Sequence, residues 1–206
     1  MPEHPDGGLA CPDDERWMTL ALDQALNARL TGEVPVGAVI IRRSADGTAA
    51  QLIATGYNRP ITTHDPTAHA EIIALRHAAS LLENYRLPDC ELYVTLEPCA
   101  MCATAMMHAR LRRVVFAASD PKTGVAGSVM DLFGVKALNH QTRLIGGVMA
   151  EPAGQMLREF FAERRAQQRE LRQLRQQAGP DPIPATPGIE IDTFGAIGPD
   201  YFGVDI

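Results

Sequence analysis

The chain has 206 residues, 46% hydrophobic and 21% charged, which suits one well-buried domain with some chain left over and excludes a disordered or coiled-coil composition. No apolar run reaches the ~18 residues of a membrane span. Its start, Met1-Pro2-Glu3-His4, lacks the basic-then-apolar pattern of a secretory leader. The expected location is the cytoplasm, where Cys11, Cys90, Cys99 and Cys102 stay reduced. The net charge of −6 is unevenly spread: residues 1–15 and 179–206 hold five acids each and no Lys or Arg. The middle therefore carries all 19 basic residues against 15 acids. A mildly basic core can hold phosphate locally. These shifts divide the chain into an acidic leader (1–15), a domain (16–178) and an acidic tail (179–206).

After the leader, residues 16–30 are predicted as a helix, with Trp17, Leu20, Ala21, Ala25 and Ala28 at helical spacing, Asp13-Asp14-Glu15 offering caps and Gly32 as the stop. Residues 34–41 form an apolar β-rich run, Asp46-Gly47 signals a hairpin, and 51–57 return as the second strand. Residues 58–67, with Pro60 and Pro66, are predicted as a loop, and 69–82 as a helix. A third strand follows at 90–96, a helix from Pro98 to about Arg110, a fourth strand at 113–118 and a Gly-rich loop at 120–127. A short helical piece near Met130, a strand at 142–147 and a long helix from Pro152 to about Gln177 complete the body. This order predicts a three-layer α/β/α domain on a mixed five-stranded sheet. Residues 179–188 read as a Pro/Gly-rich linker, and the last residues are too apolar for a plain solvating tail. That tail is expected either to pack on the body or a partner subunit, or to compete with nucleic acid for basic residues.

Two short motifs carry chemistry. Cys99 and Cys102, three apart at a predicted helix start, lie on one side of that helix, where free N–H groups and the helix dipole favour thiolate. His69 and Glu71 are i and i+2, which point apart inside a helix but can converge beyond its end. The spacing thus asks for a metal between two helix N-termini, with His69 from one and Cys99 and Cys102 from the other. Three protein ligands leave a fourth position for water, as in a catalytic zinc. Two thiolates offset the metal's charge, so a base is needed beside it, and Glu71 is that base. Taken singly, each part has a plainer reading. Cys-x-x-Cys after a strand also suits redox chemistry, and a lone His at a helix start is often a cap. Cys90 reads as strand core and His64 as a loop residue. Taken together, His-x-Glu and Pro-Cys-x-x-Cys match the pattern of zinc nucleobase deaminases.

The pattern alone leaves cytosine, guanine and adenine open. The wider sequence resembles the bacterial tRNA-specific adenosine deaminases over residues 17–165, through Glu33–Val39 (EVPVGAV), NRPI and HDPTAHAEI in 58–72, LYVTLEPCAMC in 92–102, DPKTGVAGS in 120–128 and FF…RR at 160–165. The resemblance implies a cytidine-deaminase-like fold, a homodimer, one zinc per subunit, and a tRNA anticodon stem-loop whose wobble adenosine turns out into the pocket. It implies that Asn58 hydrogen-bonds the nucleoside, that the backbone at Ala70 and Pro98 reads the base edge, and that Val34, Pro35 and Val36 line the pocket floor. Asp120 would sit beside a ribose, with a loop cap as its plainer role, and Phe160 would help close the pocket, with Phe160 or Phe161 as helix core. The longer first hairpin and the tail depart from the family. Independently, six arginines (Arg158, Arg164, Arg165, Arg169, Arg172, Arg175) face three glutamates over the last helix, and Arg164 and Arg165 are candidate phosphate contacts. The alternatives are a free-base or nucleoside deaminase, for guanine or cytosine, and a non-catalytic RNA-binding member of the fold.

Overall fold

The computed structural model describes residues 13–44, 46 and 49–178. Helix α1 (Asp14–Leu30) opens earlier than the apolar periodicity indicates, because Asp14 is a buried helix residue. Asp13 is the N-cap but makes no side-chain capping bond. The other end closes as expected at Gly32 (φ 80°): its N–H donates to the Arg29 carbonyl and that of Glu33 to the Ala28 carbonyl, both 3.0 Å. Glycine takes this left-handed conformation without the Cβ penalty.

Strands β1 (Gly37–Arg43) and β2 (Ala50–Tyr57) pair antiparallel, as the hairpin signal implies. Gly47 of that signal lies outside the described residues. β3 (Cys90–Leu96) runs antiparallel to β1, while β4 (Arg113–Ala118) and β5 (Arg143–Gly146) add in parallel, in the order β2-β1-β3-β4-β5. Helices α3 (Ala70–Leu81), α4 (Ala100–His108) and α5 (Ala150–Ala178) fall within two residues of expectation.

Alternation along the strands creates two apolar faces. Val39, Ile41, Tyr93, Val115 and Ala117 pack with Trp17, Met18, Ala21 and Leu22 of α1 and with Ala153 at the start of α5. Burial of each large apolar side chain stabilises the fold by about 1.5–3 kcal/mol. Gly37 lies under α1, where a Cβ would be 2.1 Å from the Ala21 carbonyl oxygen. Gly56 lies under α3, where a Cβ would be 2.3 Å from that of Ala70. Helices thus cover both faces of a mixed five-stranded sheet.

Two expectations fail. The 58–67 loop contains a short helix, α2 (Pro60–Thr63), with Pro60 pre-set for its first turn. The buried Glu33 accepts the Thr62 N–H at 2.7 Å, a contact from distant sequence that local reading does not supply. The helical piece near Met130 is absent: Ala126 and Asp131 form an antiparallel bridge, and Gly127 sits at φ 126°, outside any right-handed helix.

The chain divides into one compact unit ending at Leu157 and another from Arg158 onward. Both tail readings fall on residues 179–206, outside the described residues. Among the described residues no helix is long and apolar enough to cross a membrane.

Candidate active site

His69 is the N-cap of α3, with extended backbone (φ −69°, ψ 154°), and Cys99 is the N-cap of α4 (φ −77°, ψ 171°). An extended N-cap turns its side chain past the helix end, so His69 and Glu71 converge although they are i and i+2. His69 Nδ1 lies 3.7 Å from Cys99 Sγ and 3.6 Å from Cys102 Sγ, and the three donor atoms all lie within 4.8 Å of one another. Tetrahedral zinc, with bonds of about 2.05 Å to nitrogen and 2.3 Å to sulfur, requires an N···S edge of about 3.6 Å. The donor set therefore fits zinc in size as well as in chemistry.

Electrostatics support the same fit. The Cys102 thiol and then the His69 ring, both hydrogen-bonding to Cys99, lower the Cys99 thiol to about 4. Its bond with that same sulfur, added to burial, pushes Cys102 well above the ordinary thiol value. The bond to Cys99 raises His69 against the opposing effect of burial. The two adjacent sulfurs compete for one proton, and a divalent cation between them would take both as thiolates. Glu71 is buried in the first turn of α3, and its carboxyl lies against Cys102 Sγ. Desolvation raises it above the usual carboxylate range, the direction a proton shuttle near neutrality needs.

The expected pocket residues meet through main-chain links. Val36 accepts the Asn58 N–H at 3.0 Å, and Asn58 Oδ1 accepts the Ala70 N–H at 2.9 Å. Asn58 is thus tied to the turn that presents His69 and Glu71, leaving its amide NH₂ to donate. Pro35 and Val36 are buried, and Val34 is half-buried. The Pro98 carbonyl accepts the Val125 N–H at 3.0 Å. Asp120 is buried, and its Oδ1 accepts the N–H groups of Lys122 (2.9 Å) and Thr123 (3.2 Å), while Oδ2 accepts the Thr123 hydroxyl. That is the loop-cap role. Phe160, Arg164 and Arg165 belong to the second unit, where Phe160 packs edge-to-face on Phe161 at 5.3 Å and the Arg164 guanidinium stacks 5.2 Å over the Phe160 ring. Arg165 is exposed.

One buried carboxylate in the motif stretch was assigned no role from sequence. Glu97 directly follows the apolar strand β3, before Pro98, and accepts hydrogen bonds from Asp120, Ala126 and Ser128. The available signal was its position: an acid directly after an apolar strand, followed by a Gly/Ser loop rich in N–H donors.

The arrangement of a strand, a Pro-Cys-x-x-Cys helix start and a His-x-Glu helix start is that of a zinc-dependent deaminase. The family model of the cytidine and deoxycytidylate deaminase zinc-binding region matches residues 12–118, and the chain belongs to this family. It is 47% identical over 156 residues to the tRNA-specific adenosine deaminase of Haemophilus influenzae, spanning 76% of this chain and 87% of that protein. A solved structure from work on A-to-I editing by tRNA:A34 deaminases at the wobble position is 40% identical, with a TM-score of 0.62 over 69% of this chain and 99% of the other. The guanine deaminase of Nitrosomonas europaea is 28% identical, with a TM-score of 0.57 over 74% of this chain and 85% of the other.

Proposed function

We propose that this protein is a hydrolytic deaminase that converts adenosine to inosine at the wobble position of a tRNA anticodon. The observation that carries the reading is the meeting of His69, Cys99 and Cys102 within 4.8 Å beside buried Glu71, in a chain so similar to a tRNA-specific adenosine deaminase.

Zinc bound by His69, Cys99 and Cys102 supplies Lewis acidity toward water. The chain's own residues perform the proton work. Glu71 takes one proton from the attacking water as its oxygen bonds to C6 of adenine, and passes it to the adjacent ring nitrogen. It then carries the second proton to the amino group, the C6–N bond breaks, and ammonia leaves inosine behind. Asn58 donates to the base from its free amide nitrogen, and Val34, Pro35 and Val36 bound the pocket below it. Arg164 and Arg165 meet the RNA backbone. Function as a homodimer in the cytoplasm completes the reading.

Incubation with total tRNA, followed by mapping of inosine, is expected to find it at the wobble position of an arginine tRNA. Ammonia release from guanine or free nucleosides, with none from tRNA, would defeat the reading in favour of a free-base enzyme. Charge reversal at both Arg164 and Arg165 is expected to weaken tRNA binding. It should also flatten the slope of log affinity against log salt by roughly 1–2 units, at about 0.7–0.9 per lost phosphate contact. An unaltered slope removes both residues from the interface.

A further inference from the structure

We propose that Glu97 is a positioning residue of the active site: its carboxylate sets the 120–128 loop against the first turn of α4 and thereby shapes the pocket wall. Glu97 is 3% exposed, and its hydrogen bonds run to both ends of that loop. Oε1 accepts the N–H groups of Ala126 (2.8 Å) and Ser128 (3.1 Å), while Oε2 accepts the Asp120 N–H (2.9 Å) and the Ser128 hydroxyl. The loop is pinned in turn to the ligand helix. Val125 N–H donates to the Pro98 carbonyl, and Gly124 bridges to Cys99 itself. Gly124 leaves the space the carboxylate fills, since a Cβ there would lie 2.4 Å from Glu97 Cδ. Asp120, the other buried acid of the region, is held by Glu97 at its backbone and by its own loop at its side chain.

Only an acceptor-only group suits this place. Each oxygen faces at least one backbone N–H, so a glutamine in either amide orientation directs an NH₂ donor at a donor. An isosteric change therefore loosens the loop without altering volume, while His69 and Cys99 remain the N-cap residues of α3 and α4.

This role rests on the deaminase reading, and its test separates the two. Zinc-loaded wild type, Glu97→Gln and Ser128→Ala are compared on an anticodon stem-loop RNA for kcat, KM, zinc content, Tm and amide hydrogen exchange at residues 126 and 128. Glu97→Gln is expected to retain its zinc and to exchange those amides faster. Its KM should rise roughly tenfold or more while kcat stays within about threefold. Ser128→Ala, which leaves three of the four bonds, is expected to raise KM by roughly two- to fivefold. Unchanged KM in folded, zinc-loaded variants overturns the proposal, and so does a lowered Tm as the sole change. Loss of zinc from Glu97→Gln overturns it too, because the residue would then serve the ligands and not the loop. Should Glu97→Gln fail to fold, Ser128→Ala decides alone by the same criterion. A wild type idle on RNA defeats the substrate assignment only, since the comparison then runs on the free base or nucleoside it does turn over.

Discussion

Glu71→Gln is expected to yield a folded, zinc-loaded protein whose single-turnover inosine formation is slower by about 10³-fold or more. A positioned general acid/base typically contributes 10²–10⁴, and here one carboxyl serves several transfers in turn. The site explains why nothing replaces it. Glu71 is buried in the first turn of α3 against Cys102 Sγ. The amide keeps the shape and loses the proton. Rates come from quantifying inosine in RNA after nuclease digestion, and metal content from elemental analysis of the same preparation. A rate within tenfold of wild type would remove Glu71 from its role.

Asp14→Ala is expected to have the largest effect on stability, a loss of about 3–5 kcal/mol, because it leaves the buried Arg113 guanidinium with only the carboxylate that it shares with Arg43. Arg113 grips Asp14 with two bonds, Nη1 to Oδ1 at 2.8 Å and Nη2 to Oδ2 at 2.6 Å, with side-chain exposures of 8% and 1%. Nη1 also donates to Glu91 (3.2 Å) and to the Tyr93 hydroxyl (3.1 Å), while Arg43 Nε binds the other Glu91 oxygen at 2.8 Å. Burial, then the two carboxylates, raise the Tyr93 phenol above its ordinary value, so it stays a donor inside the cluster. Glu91 is already shared with Arg43 and cannot replace what Asp14 gave. The surface pair Arg42–Asp89, at 3.9 Å and with side chains 54% and 64% exposed, makes the contrast. Asp89→Ala should change stability by about 1 kcal/mol or less. Urea unfolding of both variants checks the ranking. A loss below about 1 kcal/mol for Asp14→Ala would show that the cluster relaxes around the gap.

The first of these residues was legible in sequence and the second was not. His69, Glu71, Cys99 and Cys102 sit in two short motifs whose spacing demanded two helix ends facing each other, and both cysteine and histidine prove to be N-cap or first-turn residues. The strands were equally legible, since apolar runs such as 90–96 and 113–118 have no other place to go. In sequence Asp14 belongs to the acidic leader and is one of three candidate caps for α1, and neither reading names its partner. Its partner stands 99 positions away on β4. Glu33 bonding Thr62 and Glu97 binding the 120–128 loop are of the same kind.

Periodicity, caps and ligand spacing are short-range properties, and for this chain they determined the long helices, the sheet strands and the meeting of His69, Cys99 and Cys102 beside Glu71. The pairing of buried carboxylates with donors 22 to 99 residues away is set by which segments the sheet order β2-β1-β3-β4-β5 brings together. Only the tertiary structure decided it, because a buried charge takes its partner from whatever lies within about 3 Å in space, wherever that lies in sequence.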